Sequence, residues 1–363
     1  MIDPVSYVVL ILVVLGLSHA TLVFRFSPGN RMFWCIAPGM LLLFITHPAA
    51  LALAFAAIAF NIAVYGTSRI LGNDRVNARL PYLILLLLFV PDILDLLWDA
   101  PILWLGSAFF IIRQMMTTTQ AIKKKAGPRD YFPALAIASF FFAALPSGPV
   151  FNGLDVLKAL RERRRPNYKD GLYRIFEGFV FLFAVAGFLG MAVQYAHFRE
   201  NMFFEQNSLI AYGTFHFLFL PLSSFGFLFA TFYGYSRMAE GTALVLGFSV
   251  PQNFNKPHLA SDVGDYWKRW HRSMADFVIQ YIYLPLVVTS ASSKLALICA
   301  FVFMGLWHNL SVNFLIWGLG HGLALAYVLP WAKKKKVNPL MIRVLSLAYV
   351  VFLSAIAHGV WFT

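Results

Sequence analysis

Apolar residues in this chain come in long unbroken runs, not in the alternation of a half-buried strand or the single stripe of a soluble amphipathic helix. The clearest runs fall within Val5–Phe24, Met32–Tyr65, Leu80–Trp98, Leu172–Ala196, Ser208–Tyr233, Leu295–Pro330 and Leu340–Phe362. A run of about 18 or more apolar residues predicts a membrane-crossing helix. Dividing the longest runs predicts an all-α polytopic membrane protein with about nine to eleven membrane helices, in one domain over residues 1–363.

The polar interruptions are as informative as the runs. Basic residues cluster at Lys123-Lys124-Lys125 with Arg129, from Lys158 to Lys169, and from Lys333 to Lys336. Short loops rich in Lys and Arg stay on the cytoplasmic side, where anionic lipid headgroups attract them. The first two clusters flank Tyr131 to Leu157, an apolar stretch broken by Pro133, Pro146 and Pro149. One crossing would put the two clusters on opposite sides, so this stretch is predicted to be re-entrant. Non-helical backbone at membrane depth needs protein or a water-filled cavity around it, so Pro146-Ser147-Gly148-Pro149 is expected to line an interior. Leu154, Leu157 and Leu160 share one face of a short helix expected to lie in the interface.

The same reasoning applies further on. Lys294 and Lys333 bracket 38 residues that carry no formal charge. As one straight helix they would run about 57 Å, against a hydrocarbon core of about 30 Å. A hairpin is therefore predicted. Its first arm, Leu295 to Trp307, reaches only about 20 Å, so its tip at Trp307-His308-Asn309 falls inside the bilayer.

Composition narrows the class. The chain is 60% hydrophobic and 12% charged, half the charged share of about a quarter usual in soluble domains. No basic residue precedes the first apolar run, so that helix is expected to be retained and not cleaved as a signal peptide. Cys35 and Cys299 form no paired motif, and both are expected to be buried, inert thiols with no disulfide or metal role. The net charge of +13 accompanies no basic face with stacking aromatics, which argues against a nucleic-acid partner. Membrane lipids are the expected surroundings.

Ionisable residues inside a bilayer default to functional hypotheses, and histidine suits proton transfer. His271, His308 and His321 stand out. Read as one helix, the Tyr266–Val278 stretch puts Trp267, His271, Met274 and Val278 on one stripe. His321, in Gly318-Leu319-Gly320-His321-Gly322, sits where glycines permit close helix packing, and a structural hydrogen bond is expected for it. Asp92, Asp95 and Asp99 would share a helical face, either lining a cation path or marking a helix end. There is no Gly-x-Ser-x-Gly elbow, His-Glu-x-x-His pair or phosphate loop. An enzyme, a transporter and a non-catalytic scaffold all remain open on these residues alone.

The motifs go further. The segments Phe232-Tyr233-Gly234-Tyr235-Ser236-Arg237, Gln252-Asn253-Phe254-Asn255-Lys256-Pro257, Asp265-Tyr266-Trp267-Lys268-Arg269-Trp270-His271 and Met304-Gly305-Leu306-Trp307-His308 are followed by Trp317-Gly318 and His321-Gly322. In this order, over roughly residues 132–327, they resemble the membrane-bound O-acyltransferase (MBOAT) family, above all its bacterial branch acting on alginate and teichoic acid. The resemblance implies helices around a thinned centre with a central tunnel, in a multi-pass protein of the bacterial inner membrane. It implies transfer of an acyl group, acetyl foremost and D-alanyl as the alternative, from a cytosolic thioester to a hydroxyl on an envelope polysaccharide. The donor would be acetyl-CoA or an acyl carrier protein, with no bound cofactor and no metal. An extracytoplasmic partner protein could relay the group. His308 matches the catalytic histidine and His271 the second signature histidine; Trp307, Asn309, Trp317, His321, Trp267 and Asn255 are the candidates to line the tunnel. The family often has an acidic residue where Arg237 stands and a glycine where Asn309 stands.

Overall fold

A computed structural model of the chain describes residues 5, 8–14, 28–46, 48–90, 93, 107–162, 165–205, 209–290 and 292–359. Every regular element among them is a helix, and no strand occurs among them. Lipid favours this, because a helix satisfies its own backbone polar groups. Five of the described helices are long and apolar enough to cross a membrane: Leu51–Leu71, Tyr168–Arg199, Ile210–Val245, Val312–Lys334 and Pro339–Ala357. Arg31–Ile45 and Ser293–His308 are shorter apolar helices. The chain is thus a multi-pass membrane protein. Asp92, Asp95 and Asp99 lie outside the described residues.

The chain divides into two compact units. The first comprises residues 1–178 and 235–251, the second 179–234 and 252–363. In the first, helices α1 (Pro28–Thr46), α2 (Pro48–Leu71) and α3 (Ser107–Lys123) pack around the predicted re-entrant stretch. That stretch is two short helices, α4 (Pro128–Phe140) and α5 (Gly153–Arg161), joined by buried irregular backbone. Asp130 at the start of α4 meets Arg161 at the end of α5 at 2.5 Å, so the chain enters and leaves on one side. Gly153 allows the return: a Cβ there would stand 2.0 Å from the Ala134 carbonyl oxygen.

The broken backbone needs hydrogen-bond donors, and α3 supplies them. Arg113, fully buried, donates from Nε to the Ala138 carbonyl and from Nη1 to the Ala144 carbonyl, both at 2.9 Å. Beside it, Asn61 of α2 donates to Gln114 Oε1, and Gln114 donates to Ser139 Oγ of α4. The two Arg113 bonds replace backbone bonds lost where α4 stops at Phe141. In the same unit, α6 (Tyr168–Phe179) packs against the end of α7 (Leu220–Val245). There Arg237 donates to Glu177 and Glu240, and Arg174 also donates to buried Glu240. The basic residue at position 237, unusual for the family it resembles, is held between two carboxylates.

The second unit carries helices α8 (Val263–Arg269), α9 (Arg272–Val278), α10 (Ser293–His308), α11 (Val312–Leu323), α12 (Leu329–Lys334) and α13 (Pro339–Ala357). Helices α10 and α11 form the predicted hairpin. Glycines set its spacing: a Cβ on Gly305 would fall 2.2 Å from the Phe314 carbonyl oxygen, and one on Gly318 2.5 Å from that of Phe301. At the open end, Lys294 Nζ lies 4.6 Å from the Tyr327 ring centroid, so the two arms are in register. The 16 residues of α10 rise about 24 Å, short of a full hydrocarbon core.

Two expectations are corrected here. Cys35 is buried but Cys299 is exposed, on the flank of α10 beside the residues that meet α11. The Tyr266–Val278 stretch is two helices, α8 and α9, with a break at Trp270 and His271.

Candidate active site

The break is built by aromatic packing. Trp270 is buried among Phe225, Phe229, Phe232, Phe254 and Tyr266, with ring centroids 5.0 to 6.3 Å away. Holding that ring turns the backbone out of helix, and His271 takes a left-handed conformation with φ +44°. Histidine tolerates this region better than most residues, yet the strain is of the order of 1–3 kcal/mol and persists only where surroundings enforce it. Residues 253–255 enforce it from both sides. The Asn255 N–H donates to the Arg269 carbonyl and the Arg272 N–H to the Asn253 carbonyl, each at 2.9 Å. Ser273 Oγ donates to Asn253 Oδ1 at 2.5 Å. His271 is therefore N-terminal to α9, and the stripe drawn through Trp267, His271 and Met274 does not exist.

Buried His271 faces Phe232 edge-on at 4.7 Å and Trp307 at 6.3 Å. Trp307, also buried, lies 4.3 Å from the ring of His308. His308 is the last residue of α10 and is exposed, as are Asn309 and Leu310 at the hairpin tip. Its ring stacks on Phe314 at 5.5 Å and meets Trp317 edge-on at 5.9 Å. Among the described residues no side chain hydrogen-bonds the His308 ring.

Behind Trp317 sits His321, fully buried. Its Nδ1 accepts a long bond of 3.4 Å from Trp267 Nε1, which places the ring proton on Nε2. Trp317, Trp267, Phe301 and Tyr349 surround it. This is the structural hydrogen bond expected for it. The structure thus gathers His271, Trp307, His308, Trp317, His321 and Trp267 in one continuous set of ring contacts, with Asn309 at its edge. Asn255 does not join it: the residue is exposed, and its backbone braces the break.

Three participants were not among the predicted site residues, although Phe232 and Asn253 stand within quoted motifs. Asn253, wholly buried, clamps the turn next to His271. Phe232 packs on the His271 ring. His358, just past α13, faces Phe314 at 5.5 Å across from His308, its Nδ1 2.9 Å from the Ser354 carbonyl oxygen. Each is far from the histidines in sequence and is brought there only by packing. No group of three His, Cys, Asp or Glu residues arranged to hold a metal occurs among the described residues. An exposed imidazole backed by indoles, with a second imidazole held rigidly behind, can accept and return a proton.

The profile of the MBOAT, membrane-bound O-acyltransferase, family matches residues 102–357. The chain is 30% identical over 203 residues to the peptidoglycan O-acetyltransferase of Helicobacter pylori, covering 54% of this chain and 37% of that protein. It is 28% identical over 217 residues to the teichoic acid D-alanyltransferase of Bacillus subtilis, covering 55% and 53%. With the probable alginate O-acetylase AlgI of Pseudomonas aeruginosa, identity is 29% over 190 residues, covering 51% and 35%. The matched segments thus span about a third to a half of these relatives.

Proposed function

Because this chain belongs to the membrane-bound O-acyltransferase family, we propose that it is a membrane-embedded O-acyltransferase acting on a cell-envelope polysaccharide. The acyl group, acetyl in the first instance, passes from a cytosolic thioester, either acetyl-CoA or an acyl carrier protein, to a hydroxyl presented from the other side. The relatives' names support an envelope polymer: peptidoglycan, alginate and teichoic acid are their acceptors. The teichoic acid relative favours D-alanyl as the alternative group. The setting is the bacterial inner membrane, with nine to eleven crossings around a central tunnel and an extracytoplasmic partner that can relay the group.

The observation that carries this reading is the exposed imidazole of His308 at the tip of an arm of about 24 Å, with neutral indoles on two sides. His308 takes the proton of the acceptor hydroxyl as its oxygen attacks the thioester carbonyl. The tetrahedral intermediate collapses, the carbon–sulfur bond breaks, and the departing thiolate takes that proton back. General-base help of this kind is worth roughly 10²–10⁴ in rate. Trp307, Trp317 and Phe314 limit water, which otherwise hydrolyses the thioester. His271, locked by its backbone, orients the donor or the intermediate.

The test uses the purified protein in liposomes with labelled acetyl-CoA, or a labelled acetyl carrier protein, and an envelope polysaccharide fraction. Wild type should label the polysaccharide, and His308→Ala should lose at least a hundredfold in rate at unchanged melting temperature. Full activity in that variant overturns the catalytic assignment. Normal envelope acetylation in cells carrying it would indicate a scaffold.

A further inference from the structure

The second unit holds a groove of about 740 Å³, lined by Asp262, Lys333, Lys336, Val337, Leu340 and Arg343 among others. That is the size of small-ligand sites. Lys333 Nζ is bonded to Asp262 Oδ2 at 2.8 Å, and Asp262 Oδ1 accepts the Asp265 N–H at the start of α8. The groove's carboxylate is thus committed. Lys336 and Arg343 have no carboxylate partner among the described residues, which leaves the groove with cations in excess beside the apolar Val337 and Leu340.

Lys336 is also an odd choice of residue. Helix α12 ends in a Schellman turn: the Val337 N–H donates to the Ala332 carbonyl and the Lys336 N–H to the Lys333 carbonyl, both at 3.1 Å. Lys336 stands at the left-handed position, φ +51°, where glycine is the usual and less strained residue. A charge placed at this strained position faces the groove.

We infer that this groove binds a phosphate ester carrying an organic group. Lys and Arg pair strongly with phosphate, and the apolar wall accommodates what the phosphate is attached to. Two molecules share this chemistry: an anionic lipid headgroup and the phosphorylated carrier of a thioester. Phosphate binding stands on the groove alone, while the donor identity rests on the proposed acyl-transfer function.

The experiment compares wild type with the double variant Lys336→Gly/Arg343→Gln in phosphatidylcholine nanodiscs. One arm titrates phosphatidylglycerol by native mass spectrometry; the other titrates coenzyme A by calorimetry. Lys125, at φ +51° in the equivalent turn after α3, supplies the control Lys125→Gly. Lys336→Gly keeps the fold, because the backbone there already suits glycine. The double variant should bind at least one probe about tenfold more weakly, and the control should bind like wild type. Loss for phosphatidylglycerol alone identifies a lipid site; loss for coenzyme A alone identifies a donor site. Wild type binding neither probe, a double variant with wild-type affinity, or an equal loss in the Lys125 control overturns the inference.

Discussion

His271 combines a burial requirement with a backbone requirement, and the two can be separated by substitution. Asparagine tolerates the left-handed region, whereas a β-branched residue does not. His271→Val should therefore destabilise the protein by about 1–3 kcal/mol relative to His271→Asn, read as melting temperature in detergent, while both lose acyl transfer. Equal stability would mean that the turn is not strained. Arg113 poses a different question, because it serves the backbone. Arg113→Leu removes the donors to the Ala138 and Ala144 carbonyls, and each buried orphan costs about 1–3 kcal/mol. The expected result is a protein that inserts but melts well below wild type. A melting temperature within a degree of wild type would show that water reaches those carbonyls.

Helix packing makes its own demands. The α10–α11 hairpin carries His308 at one end and depends on backbone contact at Gly318, where a Cβ would stand 2.5 Å from a carbonyl oxygen. Gly318→Ala must push the arms apart, with a cost of about 1–3 kcal/mol. Because Trp317 and His308 lie across that seam, acyl transfer should fall as well. The Asp262–Lys333 pair ties α8 to α12 and has a pH signature. Burial alone would raise the Asp262 pKa, but the Lys333 ammonium and the N–H groups of Asp265 and Gly264 outweigh it and lower it. A carboxylate with a depressed folded pKa contributes stability above its ordinary value of about 3.9. That contribution is lost as pH falls through the lower folded value. The stability gap between wild type and Asp262→Asn should be constant near neutrality and shrink in acid below about pH 4. A gap that grows on acidification contradicts this.

For the molecule as a whole, membrane topology is the measurable property. The Asp130–Arg161 pair brings both ends of the α4–α5 stretch to one side within the first unit. Lys294 over Tyr327 does the same for the hairpin within the second. In a background of Cys35→Ser and Cys299→Ser, single cysteines replacing Lys124 and Lys158 should react with an impermeant thiol reagent from the same side of sealed vesicles. Cysteines replacing Lys294 and Lys335 should likewise match each other. Opposite labelling within either couple would convert that re-entrant element into a crossing.

Much of this was legible in the sequence because lipid imposes rules on runs of residues. The lengths of apolar stretches, and the charges at their ends, are enough to require helices, a broken stretch between Lys125 and Lys158, and a hairpin whose tip stops short at His308. Those are one-dimensional constraints, set by membrane thickness and the cost of moving charge through it. The left-handed turn at His271, the clamp by Asn253, the carbonyls held by Arg113 and the approach of His358 to Phe314 were not legible. Each depends on a partner tens of residues away or more, and on close packing that selects one backbone conformation over the helix that local pattern favours. The chain order told which stretches are apolar enough to cross a bilayer; tertiary contact decided which way the histidines face.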